Sequence, residues 1–182
     1  KTSFDIDGTF KILYAGRIGP GVHDCFLDIA QAIEKLVAVG LGIELHIQTS
    51  DFSVLPESLS RFEFVKFKAP VAYDELPKIF SNSDLLLLPN DFEPKSFSFL
   101  KYSMPTKESE YMVSGTPILL YSNEQAAVTI DAVKNNWAFV VSQKDIEKLS
   151  QAISTLYKEK NLRMQLGKTA KVYAENKFDS IK

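Results

Sequence analysis

The sequence predicts an α/β fold: a Rossmann-like, doubly wound parallel sheet of about six strands with helices on both faces. Apolar runs of strand length alternate along the chain with segments of helical period. One run, residues 85–88, is leucine at every position, as in a strand buried on both faces. With 182 residues and 45% hydrophobic residues, the chain is long enough for one domain with a sizeable core.

The elements follow in order from these patterns. The first helix presents one apolar face, and Gly40 and Gly42 stop it. Pro89 closes the fourth strand, and Gly115 ends the helix before the fifth. The predicted strands cover residues 10–15, 43–47, 62–67, 84–88, 117–121 and 137–141. The predicted helices cover about 24–39, 74–81, 104–114, 124–135, 143–158 and 161–177. Residues 1–9 are predicted to be a polar lead-in, and 10–182 one domain.

Composition and charge limit the binding partners and the cellular compartment that we expect for this chain. The formal net charge of −2 gives no reason to expect a nucleic-acid partner. Cys25 is the only cysteine, which excludes an internal disulfide and suits a reducing, cytoplasmic location. No apolar run approaches the ~18 residues of a membrane span, so we expect no membrane contact from this domain. The chain opens without Met, and we expect it to be a piece of a longer protein.

Residues 4–9, "FDIDGT", resemble the signature of haloacid-dehalogenase-type phosphatases, in which the first Asp is a nucleophile and the second a general acid. In that family the signature ends a buried strand. Only four residues precede Asp5, and the strand comes after the motif instead. That family also needs a later acidic pair to hold magnesium, but no Asp-Asp or Gly-Asp-x-x-x-Asp occurs here, and Asp84 begins its strand. We interpret the motif as a turn, and a phosphatase is a distant alternative.

The first candidate site follows the first strand, at Gly16-Arg17. Ligands of doubly wound sheets bind at the carboxyl ends of strands, where glycines let a phosphate approach the backbone. The loop is not Gly-x-Gly-x-x-Gly, and no acidic residue follows the second strand in the position that reads a ribose hydroxyl in NAD enzymes. Both observations count against a nicotinamide-binding domain. Arg17 is either a cation for a diphosphate or an ordinary surface arginine.

The second candidate site is the helix near residue 107. Ser103 suits the N-cap and Pro105 the first turn. Ser103, Lys107, Glu110 and Ser114 are spaced so that they share one helix face. Such a face could bind phosphates through Lys107 and ribose hydroxyls through Glu110. Equally, it could be a solvated face with an i,i+3 salt bridge.

Residues 103–121, "SMPTKESEYMVSGTPILLY", resemble the Ser-x-Pro-x-Lys-x-x-Glu-Tyr-x-x-x-Gly-x-Pro signature of nucleotide-sugar-dependent glycosyltransferases with the GT-B fold. The resemblance is greatest to the retaining family 4 enzymes. Other landmarks occur in the family's order: "FKILYAGRI", "VKFKAPVAYDELPKIFSNSDLLLLP", and the paired helices of the tail from residue 147 to 179. The resemblance to these glycosyltransferases therefore extends over nearly the whole chain.

The resemblance implies that the chain is the C-terminal, donor-binding half of a GT-B enzyme. Such an enzyme transfers a sugar, of hexosyl type, from a nucleoside diphosphate sugar of UDP or GDP type to a saccharide or lipid acceptor, with retention. Catalytic residues would be shared with an N-terminal acceptor domain that this chain lacks, so the isolated domain is expected to be inactive. Neither a metal nor a further cofactor is implied.

It also implies a set of binding residues. Glu110 would bind the ribose, and Arg17 and Lys107 the diphosphate. Other implied contacts to the nucleotide sugar are Gly16 and the backbone near Ser103 and Thr106. The loop 68–72 would cradle the base, chiefly by backbone contacts, with Ala69 and Val71 as the implied base-binding residues.

Two departures from the family pattern stand out. Tyr102 occupies the position of the usual first glutamate, and Ser-Met-Pro-Thr replaces the common Gly-Phe-Gly-Leu. The basic residue often found after the Gly-Arg pair is missing. His23 is the nearest candidate, but taken alone it is better interpreted as a helix-start surface residue. An alternative function is therefore a non-catalytic nucleotide-sugar-binding or assembly module on the same fold.

Overall fold

The computed structural model describes residues 8–19, 21–50, 57–93 and 107–178. In this part of the chain six parallel strands form one sheet, in the spatial order β3-β2-β1-β4-β5-β6. The strands are β1 (Phe10–Ala15), β2 (Ile43–Gln48), β3 (Val65–Lys68), β4 (Leu85–Pro89), β5 (Ile118–Tyr121) and β6 (Phe139–Val141). The predicted fold class is confirmed.

Helices cover both faces of the sheet. They are α1 (Cys25–Ala38), α2 (Leu76–Ser81), α3 (Lys107–Ser114), α4 (Ala127–Asn135), α5 (Ile146–Lys158) and α6 (Lys160–Phe178). Two 3₁₀ turns, Glu57–Arg61 and Tyr73–Glu75, lie between strands. α1 packs with α5 on one face, and α3 packs with α6 on the other. Where α3 packs with α6, Gly167 lies against the Gly115 carbonyl, and a Cβ on Gly167 would clash with the Gly115 backbone.

The strand order places the switch point between β1 and β4. β2 and β3 are added on one side of β1, and the chain then returns to add β4, β5 and β6 on the other side of β1. In open α/β sheets the crevice beyond the carboxyl ends of the strands at such a reversal is where ligands bind. The residues that follow Ala15, Gln48 and Pro89 therefore border the expected binding edge.

The third strand is shorter than predicted. Residues 62–64 form a turn in which Val65 N donates to Phe62 O (3.0 Å), and β3 starts only at Val65. The apolar run misled the prediction because Phe62 is buried as part of the core and its ring lies 5.4 Å from that of Phe64. α5 begins at Ile146 rather than at the predicted residue 143. The Asp145 carboxylate caps the helix by accepting a hydrogen bond from Lys148 N at 3.0 Å.

The described residues also bear on the phosphatase interpretation. The carboxylate of Asp84 accepts a hydrogen bond from Lys11 N at 2.8 Å, at the amino end of β4 and away from the binding edge. Asp5 and Asp7 lie outside the described residues. Within the described ranges, no group of three metal-ligating side chains is present, and none of the helices is long and apolar enough to cross a membrane.

Candidate functional site

A hollow of about 480 Å³, here called the site hollow, opens at the carboxyl ends of β1 and β2. Four segments that are far apart in sequence form it: the end of β1 with its loop, the end of β2 with its loop, the stretch from the loop after β3 into α2, and the first turn of α3. Its lining residues are Ala15, Gly16, Arg17, Gln48, Thr49, Ser50, Pro70, Val71, Tyr73, Leu76, Phe80, Lys107 and Glu110. The structure therefore brings both sequence-predicted sites to one place.

Gly16 is required by the position of Lys107. The Gly16 φ of 144° lies in the region that glycine tolerates best, and its N–H donates to Gln48 O at 2.9 Å. A Cβ on Gly16 would overlap Cε and Nζ of Lys107. The Lys107 side chain therefore lies directly over the backbone at the end of β1.

Lys107 is a partly desolvated cation. Its Nζ donates to Tyr14 Oη at 2.5 Å and lies 4.2 Å from the centroid of the Tyr14 ring. Burial lowers the pKa of Lys107 to about 8, although the nearby Glu110 carboxylate acts in the opposite direction. Among the described residues no carboxylate forms an ion pair with Lys107. An anion entering the site hollow would supply that missing charge.

Tyr111 holds α3 at a fixed distance from β1. Its hydroxyl accepts from Ala15 N at 2.9 Å and is 3.4 Å from Ala15 O. The ring is fully buried and meets Phe80 edge to face, with centroids 5.0 Å apart. Burial raises the pKa of Tyr111, so its hydroxyl remains protonated. Sequence reasoning gave Tyr111 no role, although it occurs in the motif directly after Glu110.

Glu110 faces the site hollow from α3 and is paired with Tyr73. The Tyr73 hydroxyl donates to Glu110 Oε1 at 3.0 Å, and this contact raises the pKa of Tyr73. A second hollow of about 430 Å³, here called the adjoining hollow, lies between α2 and α3. It shares Tyr73, Leu76, Phe80 and Glu110 with the site hollow and is otherwise lined by Pro77, Ser109, Val113 and Ser114.

The loop predicted to cradle a base is fixed to the end of β2. Gln48 Nε2 donates to Ala69 O at 3.2 Å, and Thr49 N donates to Lys68 O at 3.2 Å. Val71 lines the site hollow, whereas Ala69 contributes its backbone carbonyl to the anchor and does not line the hollow.

The remaining predicted residues fall into three groups. Arg17 is exposed and lines the site hollow, and its carbonyl accepts from Tyr14 Oη at 2.5 Å. Ser103 and Thr106, like Tyr102, lie outside the described residues. His23 does not line the hollow; its Nδ1 lies 2.8 Å from the carboxylate of Asp24.

With this geometry in place, comparison with protein families is informative. The family model described as "Glycosyl transferases group 1" matches residues 9–159. The chain belongs to this glycosyltransferase family. No match was found among curated proteins.

Solved structures similar to this group 1 glycosyltransferase chain share its fold at low sequence identity. HepE from Anabaena, in complex with UDP-glucose, matches with a TM-score of 0.69 and 16% identity over 93% of this chain and 45% of its own. WaaG, a glycosyltransferase involved in lipopolysaccharide biosynthesis, matches with a TM-score of 0.65 and 17% identity over 94% of this chain and 44% of its own. The UDP-forming trehalose-phosphate synthase of Burkholderia vietnamiensis matches with a TM-score of 0.70 and 15% identity over 95% of this chain and 43% of its own. The chain thus spans less than half of each structure, and the resemblance to GT-B glycosyltransferases is confirmed.

A larger hollow in this glycosyltransferase chain suits an anion poorly. It has a volume of about 640 Å³ and lies between α1 and the start of α5. Its charged lining residues are the acids Asp28, Glu34, Asp145 and Glu147 and the lysines Lys35 and Lys144. Lys35 is already paired with Glu147. Local charge therefore favours the site hollow for a phosphorylated ligand.

Proposed function

We propose that this chain is the donor-binding, C-terminal domain of a retaining, hexosyl-type GT-B glycosyltransferase, and that the site hollow binds a nucleoside diphosphate sugar of UDP or GDP type. The observation that carries the proposal is the convergence of Gly16, Lys107, Glu110 and Val71 on one hollow at the carboxyl edge. HepE, which shares the fold, was solved with UDP-glucose.

Glu110 is the proposed ribose ligand. A carboxylate has about four lone-pair sites and can accept hydrogen bonds from both hydroxyls of a vicinal diol. The hydrogen bond from Tyr73 uses one of these sites on Oε1, which leaves acceptor capacity for the ribose. Glu110 also faces the site hollow from a helix whose position Tyr111 fixes.

Lys107 and Arg17 are the proposed diphosphate ligands. Lys107 is partly desolvated and Arg17 is exposed at the rim of the same hollow. The absence of a side chain at Gly16 gives Lys107 its place over the end of β1. Two cations near the diphosphate would also stabilise the negative charge that develops on the leaving nucleotide. The base is assigned to the loop 69–71, through Val71 and the backbone near Ala69.

The acceptor side of the reaction is proposed to come from a separate N-terminal domain. A ligand site between two domains needs both of them to exclude water and orient the reactants. We therefore expect this chain alone to bind nucleotide but not to transfer a sugar to a saccharide or lipid acceptor. A cytoplasmic location and the lack of membrane contact or of a metal cofactor are part of the same proposal.

Tyr102, in place of the family's usual first glutamate, favours a second candidate: a non-catalytic nucleotide-sugar-binding or assembly module. Sugar transfer by a longer protein that contains this chain and an acceptor domain would exclude that candidate. Nucleotide binding without transfer in such a protein would support it.

A thermal-shift panel of UDP, GDP, ADP and dTDP tests the proposed function. A ligand at 100 times its dissociation constant stabilises the folded protein by about 2.7 kcal/mol. We expect UDP or GDP to raise the melting temperature. If none of the four nucleotides raises it, the proposed donor site is wrong.

The variant Glu110→Ala tests the ribose assignment directly. Loss of a charged hydrogen-bond acceptor should weaken binding of the responding nucleotide by roughly 1–3 kcal/mol, measured by isothermal titration calorimetry. Glu63→Ala is the matched control, since Glu63 is exposed next to the amino end of β3. Equal affinities for Glu110→Ala and the unmodified chain would contradict the ribose role.

A further inference from the structure

Tyr73 is an aromatic residue with an unusual setting for its type. Its side chain is 74% exposed, although it lines both the site hollow and the adjoining hollow. Large aromatic side chains gain most from burial, so an exposed ring between two concave surfaces is a candidate for contact with a ligand. Sequence reasoning gave this residue no role.

The backbone that carries Tyr73 is held in place while the ring remains exposed. Glu75 N donates to Ala72 O at 3.0 Å, and Ala72 N donates to Glu75 Oε2 at 3.2 Å, which closes the 3₁₀ turn Tyr73–Glu75 on itself. The preceding loop is anchored to β2 by the bond from Gln48 to Ala69 O. The ring therefore projects from a fixed support beside the loop assigned to the base.

The hydroxyl of Tyr73 fixes the orientation of the Glu110 carboxylate. It donates to Oε1 at 3.0 Å across 37 residues of sequence. Contact with this carboxylate raises the pKa of Tyr73, so the phenol stays protonated and keeps donating through neutral and moderately alkaline pH. The hydrogen bond holds one oxygen, and the carboxylate keeps acceptor capacity for further donors.

We propose that Tyr73 is a nucleotide-binding residue whose ring supports the base while its hydroxyl positions Glu110 for the ribose hydroxyls. The proposal rests on the proposed function, because it needs a nucleotide in the site hollow. Every base has a π face, so stacking on Tyr73 needs no particular base. The adjoining hollow continues past the ring, where Val113 is 53% exposed, and gives an apolar border to the outer side of this contact.

Two substitutions separate the ring from the hydroxyl. Tyr73→Phe keeps the ring and should weaken UDP binding about 2- to 10-fold through loss of the hydrogen bond to Glu110. Tyr73→Ala removes both and should weaken it about 5- to 100-fold. Met164→Ala, which truncates a 64% exposed side chain on α6 outside both hollows, is the control and should bind UDP as the unmodified chain does.

Inorganic pyrophosphate is the second probe, because it has neither base nor ribose. By calorimetry, Tyr73→Ala should lose affinity for UDP but keep its affinity for pyrophosphate. An equal loss for both probes would mean that the substitution deforms the site hollow, and the proposal would be wrong. It would also be wrong if Tyr73→Ala bound UDP within twofold of the unmodified chain while Glu110→Ala bound it more weakly. If Glu110→Ala also bound UDP normally, the proposed ribose site itself would fail.

Discussion

The two residues that begin α3 have opposite charges and face different surroundings. Lys107 faces the site hollow, while Glu108, 3% exposed, lies on the side of α4 and α6. Burial pulls both groups toward their neutral forms: the pKa of Lys107 falls to about 8 and that of Glu108 rises to about 7. One helix turn thus contains two charges that the fold disfavours.

The surroundings of Glu108 are a closed network of protein groups. Asp131 accepts hydrogen bonds from Trp137 Nε1 at 2.8 Å and Tyr173 Oη at 2.7 Å, and lies 3.6 Å from Lys177 Nζ. Lys177 favours the charged form of Glu108, whereas Asp131 disfavours it, and desolvation is the larger effect. Among the described residues, Glu108 Oε2 has no hydrogen-bond partner.

In the proposed function, the difference between the two faces separates a ligand site from a stability element. At Lys107 an open hollow lets an anion enter and compensate the buried charge. Glu108 is 3% exposed and close to the Asp131 carboxylate, so binding a proton relieves its charge. The same physical cause, burial of a charge, should therefore appear as ligand affinity on one face and as pH-dependent stability on the other.

Lys107→Met tests the ligand face, and its effect should be seen in ligand affinity. The substitution keeps an unbranched apolar stem and removes the cation, so UDP affinity should fall by about 1.5–3 kcal/mol. The free energy of unfolding without ligand should change by less than about 1 kcal/mol, because the lost cation was partly desolvated. Calorimetry and urea unfolding measure the two quantities.

The pH dependence of binding sharpens the same test. Lys107 loses its proton as pH rises through about 8, so UDP affinity should fall several-fold between pH 7 and pH 9. Lys107→Met should lack this decline. Lys168→Met, on the exposed surface of α6, should retain both affinity and pH dependence. A decline of equal size in Lys107→Met would show that another group causes it.

Glu108→Gln tests the packed face, and its effect should be seen in stability alone. The pKa of Glu108 is raised from 4.5 to about 7, so the folded state binds more protons than the unfolded state between these values. Its contribution to stability is therefore present below pH 4.5 and lost as pH rises to about 7. The unmodified chain should lose roughly 2–3 kcal/mol more than Glu108→Gln over that range, measured by urea unfolding.

Two features of this second test guard against confusion. Other carboxylates also titrate in the window, so only the difference between the two proteins is interpreted. UDP affinity at pH 7.5 should be the same in both, since Glu108 does not line the site hollow. Parallel stability curves would contradict the assignment of Glu108, and a large loss of UDP affinity would contradict the separation of the two faces.

The sequence predicted the fold, and it placed two residues on one helix face, because both depend on local spacing. Strand-length apolar runs gave the sheet, and the helical spacing of Lys107 and Glu110 placed them on the face that lines the site hollow. Glycosyltransferase family membership is confirmed by the match to residues 9–159. The roles of Gly16, Arg17 and the two helix residues stay predictions.

What the sequence did not reveal are contacts between distant segments. Tyr14 meets Lys107 across 93 positions, and Tyr111 meets Ala15 across 96. Spacing gives the face on which a side chain lies but not the partner that the tertiary fold brings to it. The prediction of the third strand was wrong at its start for a related reason. A turn packs Phe62 on the core, and in the sequence a buried apolar residue of a turn cannot be told from one of a strand.

The most direct test of the central claim is a nitrogen-15 amide NMR titration of the 182-residue chain with UDP. If the site hollow is the nucleotide site, the largest shift changes should cluster at Gly16, Arg17, residues 69–73 and the start of α3 from Lys107 to Tyr111. Changes concentrated instead around the larger hollow between α1 and α5, near Asp28 and Lys144, or an absence of saturable changes, would contradict the account.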